Sequence, residues 1–546
     1  VLDTWQKAGA DENSFWSAKE IPRDNPNVYG EISGQEDTLW HRHVRDPRSL
    51  MRLAANPFML TMLCQVWIFE GETLPRNRGE LFTRFADTLL DREHLASLDE
   101  TTGETRYTEE GRRLLDGLAD LAWAMQSRRI EAEGAAGSDA GVLTVVHRDE
   151  ATATLGGEAL VKKAEDATFL EGGQGLRFRH QLLQEYFTAL AMRLRLEQGK
   201  LPVRELWPSE RWWVRSGWEE STVLLAGLYA EDSTPVIRWL KDAQPEFAAR
   251  CIAESGAGIA DRASLLKELH DAWMPWLTDI EREPEPEGRA VIGRVLGRLG
   301  LDDRRGVGLD PDGLPDIDWV EIPAGEFIYQ DRKKRHLEAF RIARYPITNA
   351  QFEAFVRDGG YGDEHWWKGL HDWIKAPEAP SWTYANHPRG TVSWYEAMAF
   401  CAWLGERLRL EIRLPTEEEW ERVARGSDGR EYPWGDGYRA GYANIDESSG
   451  EAGPHNLQQT STVGIYPQAE SPEGVVDLAG NVWEWCLNEY GKPDRTGKGG
   501  DESRVVRGGS GGSDLDYARA DARFNARPDY RSGYYGFRVV CGSPIR

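Results

Sequence analysis

Apolar residues recur at helical spacing through roughly the first 200 positions. The stretch from Leu53 to Phe69 is nearly continuous apolar sequence, broken at Asn56-Pro57. Asn can cap a helix there and Pro can take its first position, so a helix start is predicted. Leu81, Phe85 and Leu89 align on one face of a second helix beside Phe82 and Leu90, and Leu114, Leu118, Leu121 and Met125 align on a third. The texture then changes. VLTVV (142–146) and TFLEGGQGLRFRH (168–180) read as short strands, the latter a hairpin turning at Gly172-Gly173-Gln174-Gly175. A following helix aligns Leu183, Phe187, Leu190 and Leu194. Helices followed by a small β-wing predict a helical plus winged-helix module over residues 1–200.

Residues 201–301 continue as short helices anchored by Trp207, Trp212, Trp213, Trp218 and Trp239, a HEAT-like connector without a clean repeat period. EREPEPEG (281–288) is charged and Pro-rich and reads as a hinge, one more helix runs from Ala290 to Leu299, and 302–317 is a Gly/Pro/Asp-rich linker. Beyond it, Thr348…Gln351, Ser393…Glu396 and Thr416…Glu419 are capping boxes, each opening an amphipathic stretch. Short segments and many Gly and Trp turns fill the remainder. The fold class expected is multidomain: a mainly α N-terminal half, then an α+β domain from 318 to 546.

The last seventy or so residues divide into a frame and an insert. Gly480, Trp483, Trp485, Val505, Val506, Gly508-Gly509 and Gly536-Phe537-Arg538-Val539-Val540 suit burial or tight turns. Between Gly511 and Tyr535 Leu515 is the sole large aliphatic residue, and Gly, Ser, Asp, Asn, Tyr and Arg dominate. This segment lacks the period-2 apolar pattern of a core strand. Rigid Tyr among adaptable Ser, Gly and Asn is the composition of paratopes; a long solvated loop is the plainer alternative.

Composition narrows the function classes. A formal net charge of −25 argues against nucleic acid or an anionic membrane as main partner. The five cysteines are scattered without a CxxC pair, which fits a reducing compartment rather than a disulfide framework or thiolate zinc site. The most apolar run, 58–69, is too short to span a bilayer, and a cytoplasmic protein is expected. The sequence opens at Val1 without an initiator Met, so a fragment of a longer chain is one reading. No GxxxxGK[ST] loop occurs, so no nucleotide site is expected in this chain.

The ordered motifs WVEIPAGEF (319–327), YPITNAQFEAFV (345–356), HPRGTVSWYEAMAFCAWL (387–404), RLPTEEEWERVARG (413–426), YPWG (432–435) and GNVWEW (480–485) resemble the formylglycine-generating enzyme or sulfatase-modifying factor family, which has a C-type-lectin-like fold. The variable proteins of diversity-generating retroelements are similar and carry RGGS…GFRVV as the scaffold of a hypermutated C-terminal region, here about 504–540. A further resemblance, carried by ANPFMLTMLCQVW (55–67), LPRNRGELF (74–82) and FRHQLLQEYFTALAM (178–192), is to the segments that follow the ATPase core in NACHT-type signalling proteins. It implies an NTPase or effector partner segment and a defence or signalling role. His180, Gln184 and Glu185 in it read as packing and solvation on a helix.

The resemblance implies the site residues. Family enzymes use paired cysteines after the RGGS-like turn; Ser510 to Arg523 holds none, so no copper, no catalytic residues and no enzymatic activity are expected, and Cys486 and Cys541 read as bystanders. Ser513, Asp514, Asp516, Tyr517, Phe524, Asn525, Asp529, Tyr530, Ser532, Tyr534 and Tyr535 become candidates for a variable ligand-binding surface, with Arg519, Arg523, Arg527 and Arg538 as fixed framework. Structural calcium in the family implies Asp477, the carbonyls of Gly480 and Val482, and Glu484 as ligands. The alternative is that both acids bond backbone amides or Arg504, Arg507 and Arg538. A further calcium site would use Asn444 and the carbonyl of Ile445, with its partner acid replaced near His455. The expected function is recognition of a macromolecule, a protein first, by the C-terminal head. A formylglycine-type oxidase and a fixed-specificity scaffold are the rivals.

Overall fold

The computed structural model describes residues 56–70, 75–99, 104–134, 145–330, 333–449 and 451–544. The chain forms two compact units, one reaching Leu265 and one running from Leu266 onward.

In the first unit, helix α1 (Pro57–Glu70) starts where the Asn-Pro pair predicts, with Asn56 Oδ1 accepting from the Phe58 and Met59 amides. Helices α2 (Arg78–Arg92) and α3 (Glu109–Gly134) bury the predicted Leu81, Phe85, Leu89, Leu114, Leu118, Leu121 and Met125, and the hairpin of β1 (Ala96–Leu98) and β2 (Thr105–Tyr107) joins them. Strand β3 (Val146–His147) is followed by α4 (Arg148–Leu155) and α5 (Glu158–Asp166), then the expected hairpin of β4 (Leu170–Gly172) and β5 (Gly175–Phe178), giving the sheet order β3-β5-β4. Residues 142–144 of the predicted first strand lie outside the described residues, as do 1–55 of the predicted helical module. His180 caps α6 (Gln181–Glu197) by accepting from the Leu182 amide, while Gln184 and Glu185 are buried on that helix. Among the described residues four helices follow, α7 (Val203–Leu206), α8 (Glu219–Leu228), α9 (Thr234–Leu240) and α10 (Pro245–Glu254), and α11 (Arg262–Thr278) runs across the boundary into the second unit. Trp207, Trp212 and Trp218 are buried among them.

In the second unit α12 (Pro286–Leu299) begins four residues earlier than the hydrophobic pattern predicts, because Pro286 occupies the first helical position, as Pro57 does in α1. Gly293 and Gly297 let α12 approach Thr462 and Asn386 so closely that a Cβ would sit 2.3 Å from either side chain. Arg289, fully buried, donates to the carbonyls of Ile465, Glu283 and Pro284.

Among the described residues the rest of this unit holds two four-stranded sheets and a hairpin. One sheet has the order β10 (Leu410–Arg413), β15 (Val540–Pro544), β9 (Phe340–Ala343), β6 (Trp319–Ile322); β7 (Gly325–Tyr329) pairs with β8 (Lys333–Leu337). The other has the order β13 (Arg523–Ala526), β12 (Arg504–Arg507), β11 (Trp483–Glu489), β14 (Tyr535–Gly536), with β14 parallel to β11. All three capping boxes form, at the starts of α13 (Asn349–Arg357), α14 (Trp394–Leu408) and α15 (Glu417–Arg425).

Candidate functional site

Strand β11 shows why the GNVWEW motif has its composition. Successive side chains alternate faces. Trp483, Trp485 and Leu487 join the core built on α13 and α14, while Cys486 joins the cluster around Trp420 and Val505. Glu484 lies on that second side, where Arg538 reaches both its oxygens at 2.6 Å and the Trp420 indole donates to it at 2.7 Å.

Trp483 and Trp485 each found an aromatic stack whose outer members belong to the Tyr- and Ser-rich segment between Gly511 and Tyr535. Trp483 lies 5.6 Å from Tyr517 and 5.7 Å from Phe524, which are 6.0 Å apart. Trp485 lies 5.6 Å from Tyr535, itself 5.0 Å from Tyr530 in an edge-to-face pair. The inner rings are buried and the outer rings are not. Tyr517, Phe524 and Tyr530 are 40%, 41% and 47% exposed, and they are the aromatics among the seven exposed large hydrophobic side chains of the described residues.

Beside these rings opens a cleft of about 610 Å3, lined by Phe524, Asn525, Ala526, Arg527, Asp529, Tyr530, Arg531, Tyr535 and Glu378. Edge strand β13 forms one wall, and burial pushes the Tyr535 hydroxyl up to about 12. Arg531 bridges Glu378 at 2.8 Å and the buried Glu396 at 2.7 Å, while Arg527 pairs with Asp529 at 3.1 Å. Glu396 also caps α14 and accepts from the Tyr361 hydroxyl at 2.6 Å. A larger depression of about 1010 Å3, lined by residues of β6, β9, β10 and β15, contains none of the predicted variable positions.

Backbone bonds fix the loop whatever its side chains. Thr391 N–H donates to Ser532 O, Trp394 N–H to Pro528 O, Trp483 N–H to Tyr534 O and Asp446 N–H to Ser513 O, at 2.8 to 3.0 Å. Gly390 is required for this contact, since a Cβ there would meet Gly533 O at 2.1 Å. The arginines expected as framework are paired: Arg519 with Glu431 and Asp521, Arg523 with Glu417, Arg527 with Asp529 and Arg538 with Glu484. Arg507, fully buried, joins Glu417 and Glu421 behind them.

Of the predicted surface residues, Phe524, Asn525, Asp529, Tyr530 and Tyr535 meet at the cleft. Asp514, Asp516 and Tyr517 sit on the neighbouring turn around 515–518, where Asp514 caps by accepting from the Asp516 amide. Ser513 faces inward to Ser510, Tyr534 packs on Trp382 at 4.8 Å, and Ser532 is half-buried. Glu378 and Arg531, which line the cleft, were not among the predicted site residues, and neither was Glu396 beneath Arg531. Glu378 lies 153 residues from Arg531 in a segment without any motif, whereas Glu396 was visible only as a capping residue.

For the residues implied as calcium ligands, Asp477 accepts from the Gly464 amide at 2.7 Å, and burial pushes its carboxyl up to about 6. Glu484 is engaged by Arg538, the carbonyls of Val476 and Asp477 accept from Arg538 at 3.0 and 3.3 Å, and Gly480 and Val482 are buried alongside. Asn444 donates to Gln459 O and its carbonyl accepts from Asn481, with Ile445 buried. All five cysteines are buried; burial pushes the Cys486 thiol well up and raises that of Cys541.

Residues 311–542, which hold the two sheets, α13 to α15 and the buried Arg–Glu frame, match the profile of the family described as the sulfatase-modifying factor enzyme 1-like domain. The chain belongs to that family. It is 30% identical over 310 residues to the formylglycine-generating enzyme of Thermomonospora curvata, covering 47% of this chain and 95% of that protein. It is 30% identical over 249 residues to the inactive C-alpha-formylglycine-generating enzyme 2 of Bos taurus, covering 38% and 78%. With the hercynine oxygenase of Mycolicibacterium thermoresistibile it shares 32% identity over 239 residues, 37% of this chain and half the length of that protein. Among solved structures, Treponema denticola variable protein 1 is 23% identical and covers 41% of this chain and 95% of that one, at a TM-score of 0.30.

These relatives correct one expectation. The absence of motif cysteines led to the reading that the chain is not an enzyme, yet two of these relatives are named as enzymes. At about 30% identity their names do not establish an activity for this chain. Among the described residues no helix is long and apolar enough to cross a membrane.

Proposed function

We propose that the aromatic face and cleft formed by Tyr517, Phe524, Asn525, Asp529, Tyr530 and Tyr535 bind a macromolecular ligand, a protein, and that residues 504–540 are a diversified region of the kind carried by retroelement variable proteins. The observation that carries this reading is the pairing of exposed rings with a backbone-fixed loop. Large aromatic side chains left in water are costly for packing but suited to contact, because they supply area with few rotatable bonds. Here each stack rests on a buried Trp, so the outer rings are held before any ligand arrives. Pre-ordering lowers the entropy cost of association. Side chains can change on such a loop without loss of the bonds that hold it, which is what a diversified surface requires.

In the same reading, the head is of C-type-lectin-like fold and residues 1–200 are a helical plus winged-helix module of NACHT-associated type that couples recognition to a signalling or defence partner. Support for that part is the 55–67 and 178–192 motif resemblance together with the order of helices and the β3-β5-β4 sheet.

Sequencing the coding region across many cells of one population, with a search for a near-identical template repeat, tests the proposal. Substitutions confined to the surface positions between Gly511 and Tyr535, at template adenines, are expected. An invariant segment without a template sinks the diversification half and leaves a fixed recognition face. Thiol-dependent oxidation of a cysteine-containing peptide by the intact chain would add catalysis to recognition.

A further inference from the structure

Residues 281–285 of the predicted hinge are the non-helical lead into α12 and 286–288 are its first turn, and together they bring acidic side chains to a histidine about 170 residues away. Glu285 is the N-cap of α12 and Glu287 lies in its first turn. His455 Nδ1 stands 3.0 and 3.2 Å from the two oxygens of Glu287. One ligand atom from each of Glu285, Glu287 and His455 can be chosen so that all three lie within 4.8 Å of one another. We propose that these three residues bind a divalent transition-metal ion of the Zn2+ type, clasping the start of α12 to His455 of the head.

The distances fit such an ion. With bond lengths of about 2.0–2.1 Å, neighbouring ligand atoms in a tetrahedral site are roughly 3.3 Å apart. The His455–Glu287 separation is already near that value, and Glu285, which is exposed, can close the remainder by side-chain rotation. An imidazole nitrogen with two carboxylates suits Zn2+, Co2+ or Ni2+ rather than Ca2+ or Mg2+, which prefer oxygen alone. Three protein ligands leave a further position to water.

Both halves of the site are held in place independently of any ion. The His455 amide donates to Glu447 Oε2 at 3.2 Å, and the Glu447 amide donates to the His455 carbonyl at 3.1 Å. Glu447 is in turn gripped by the Tyr438 hydroxyl at 2.5 Å and the Gly441 amide at 2.7 Å. On the other side Arg289 fixes the carbonyls of Glu283 and Pro284 just before Glu285. Glu285 and Glu287 precede the family-matched region, so the site belongs to the junction of α12 with the domain and shares no residue with the aromatic cleft.

The intact chain, stripped with EDTA, is titrated with Co2+ followed by visible absorption, and with Zn2+ by calorimetry and thermal melting. One equivalent is expected, with d–d bands in the Co2+ form and a raised melting temperature. Loss of even an outer partner of a metal site weakens affinity by about 10–100-fold, so His455→Ala, Glu287→Gln and Glu285→Gln should each lose at least that much. Glu285→Gln alters an exposed side chain and keeps the test valid if His455→Ala fails to fold. Absence of saturable binding, or unchanged affinity in Glu285→Gln and Glu287→Gln, would leave His455–Glu287 as an ion pair only and overturn the proposal.

Discussion

Arg538 and Glu484 form a fully enclosed pair in the head, with the guanidinium also donating to the carbonyls of Ala343, Arg344, Val476 and Asp477. Breaking a buried pair from one side leaves an uncompensated charge, at about 3–5 kcal/mol. Glu484→Gln should therefore lose stability of that order in urea unfolding. Two buried groups set opposing pH trends. His387 sits in the core with Nδ1 on Thr460, and burial pushes it down to about 3. The unfolded chain binds its proton more readily, so the stability it contributes is complete above about 6.5 and is lost as pH falls toward 3. The acid limb should be shallower in His387→Gln. Asp477 behaves in the other direction, since its folded-state value of about 6 means that stability falls as pH rises from the unfolded carboxylate range through 6. Asp477 also has φ of 57°, a conformation Asn accepts readily. Asp477→Asn should raise the melting temperature at pH 8, and a fall that appears only when calcium is supplied would show an ion bound there. The sequence offered both an ion and an arginine for Glu484; the arginine is visible only when β11 and the residues after β14 are brought together.

Helix starts were the most legible elements, because a cap is a local interaction whose partners lie three residues apart. Each Ser or Thr cap is worth roughly 1 kcal/mol. Thr416→Ala should lose at least that, since Glu419 is also clamped by Arg413 at 2.6 and 2.7 Å. Ser393→Ala should lose a similar amount and loosen Glu396 beneath Arg531. Strands were less legible. The segment 523–526 lacks the apolar alternation of a core strand yet forms β13, because an edge strand needs only its backbone to pair, here with β12 in the register Arg504↔Ala526 to Arg507↔Arg523. Two-residue β14 carries no pattern at all; its pairing with β11 rests on contacts made across fifty residues of chain. Pro286 misled the reading of α12 for the converse reason, since a proline that breaks a helix interior also starts a helix well.

At the scale of the whole chain, motifs identified the family domain and composition located its unusual segment, but neither could show which side chains face the same way. That required the alternation of β11, which places Trp483 and Trp485 under one surface and Glu484 under the other side. Glu378 at the cleft comes from a segment without any motif and Glu287 at His455 from the segment read as a hinge, and long-range pairs of this kind leave no trace in local spacing. The central claim is that the exposed rings form a preformed protein-binding face. Its most direct test is selection of binders from a displayed protein library against the intact chain, with affinity then measured for Phe524→Ala and Tyr530→Ala. Alanine at a central aromatic contact typically costs about 2 kcal/mol or more. Binders that lose at least about tenfold on either variant, with melting temperatures unchanged, are the predicted result. Binders that tolerate both substitutions, or variants that lose stability instead, would contradict the account.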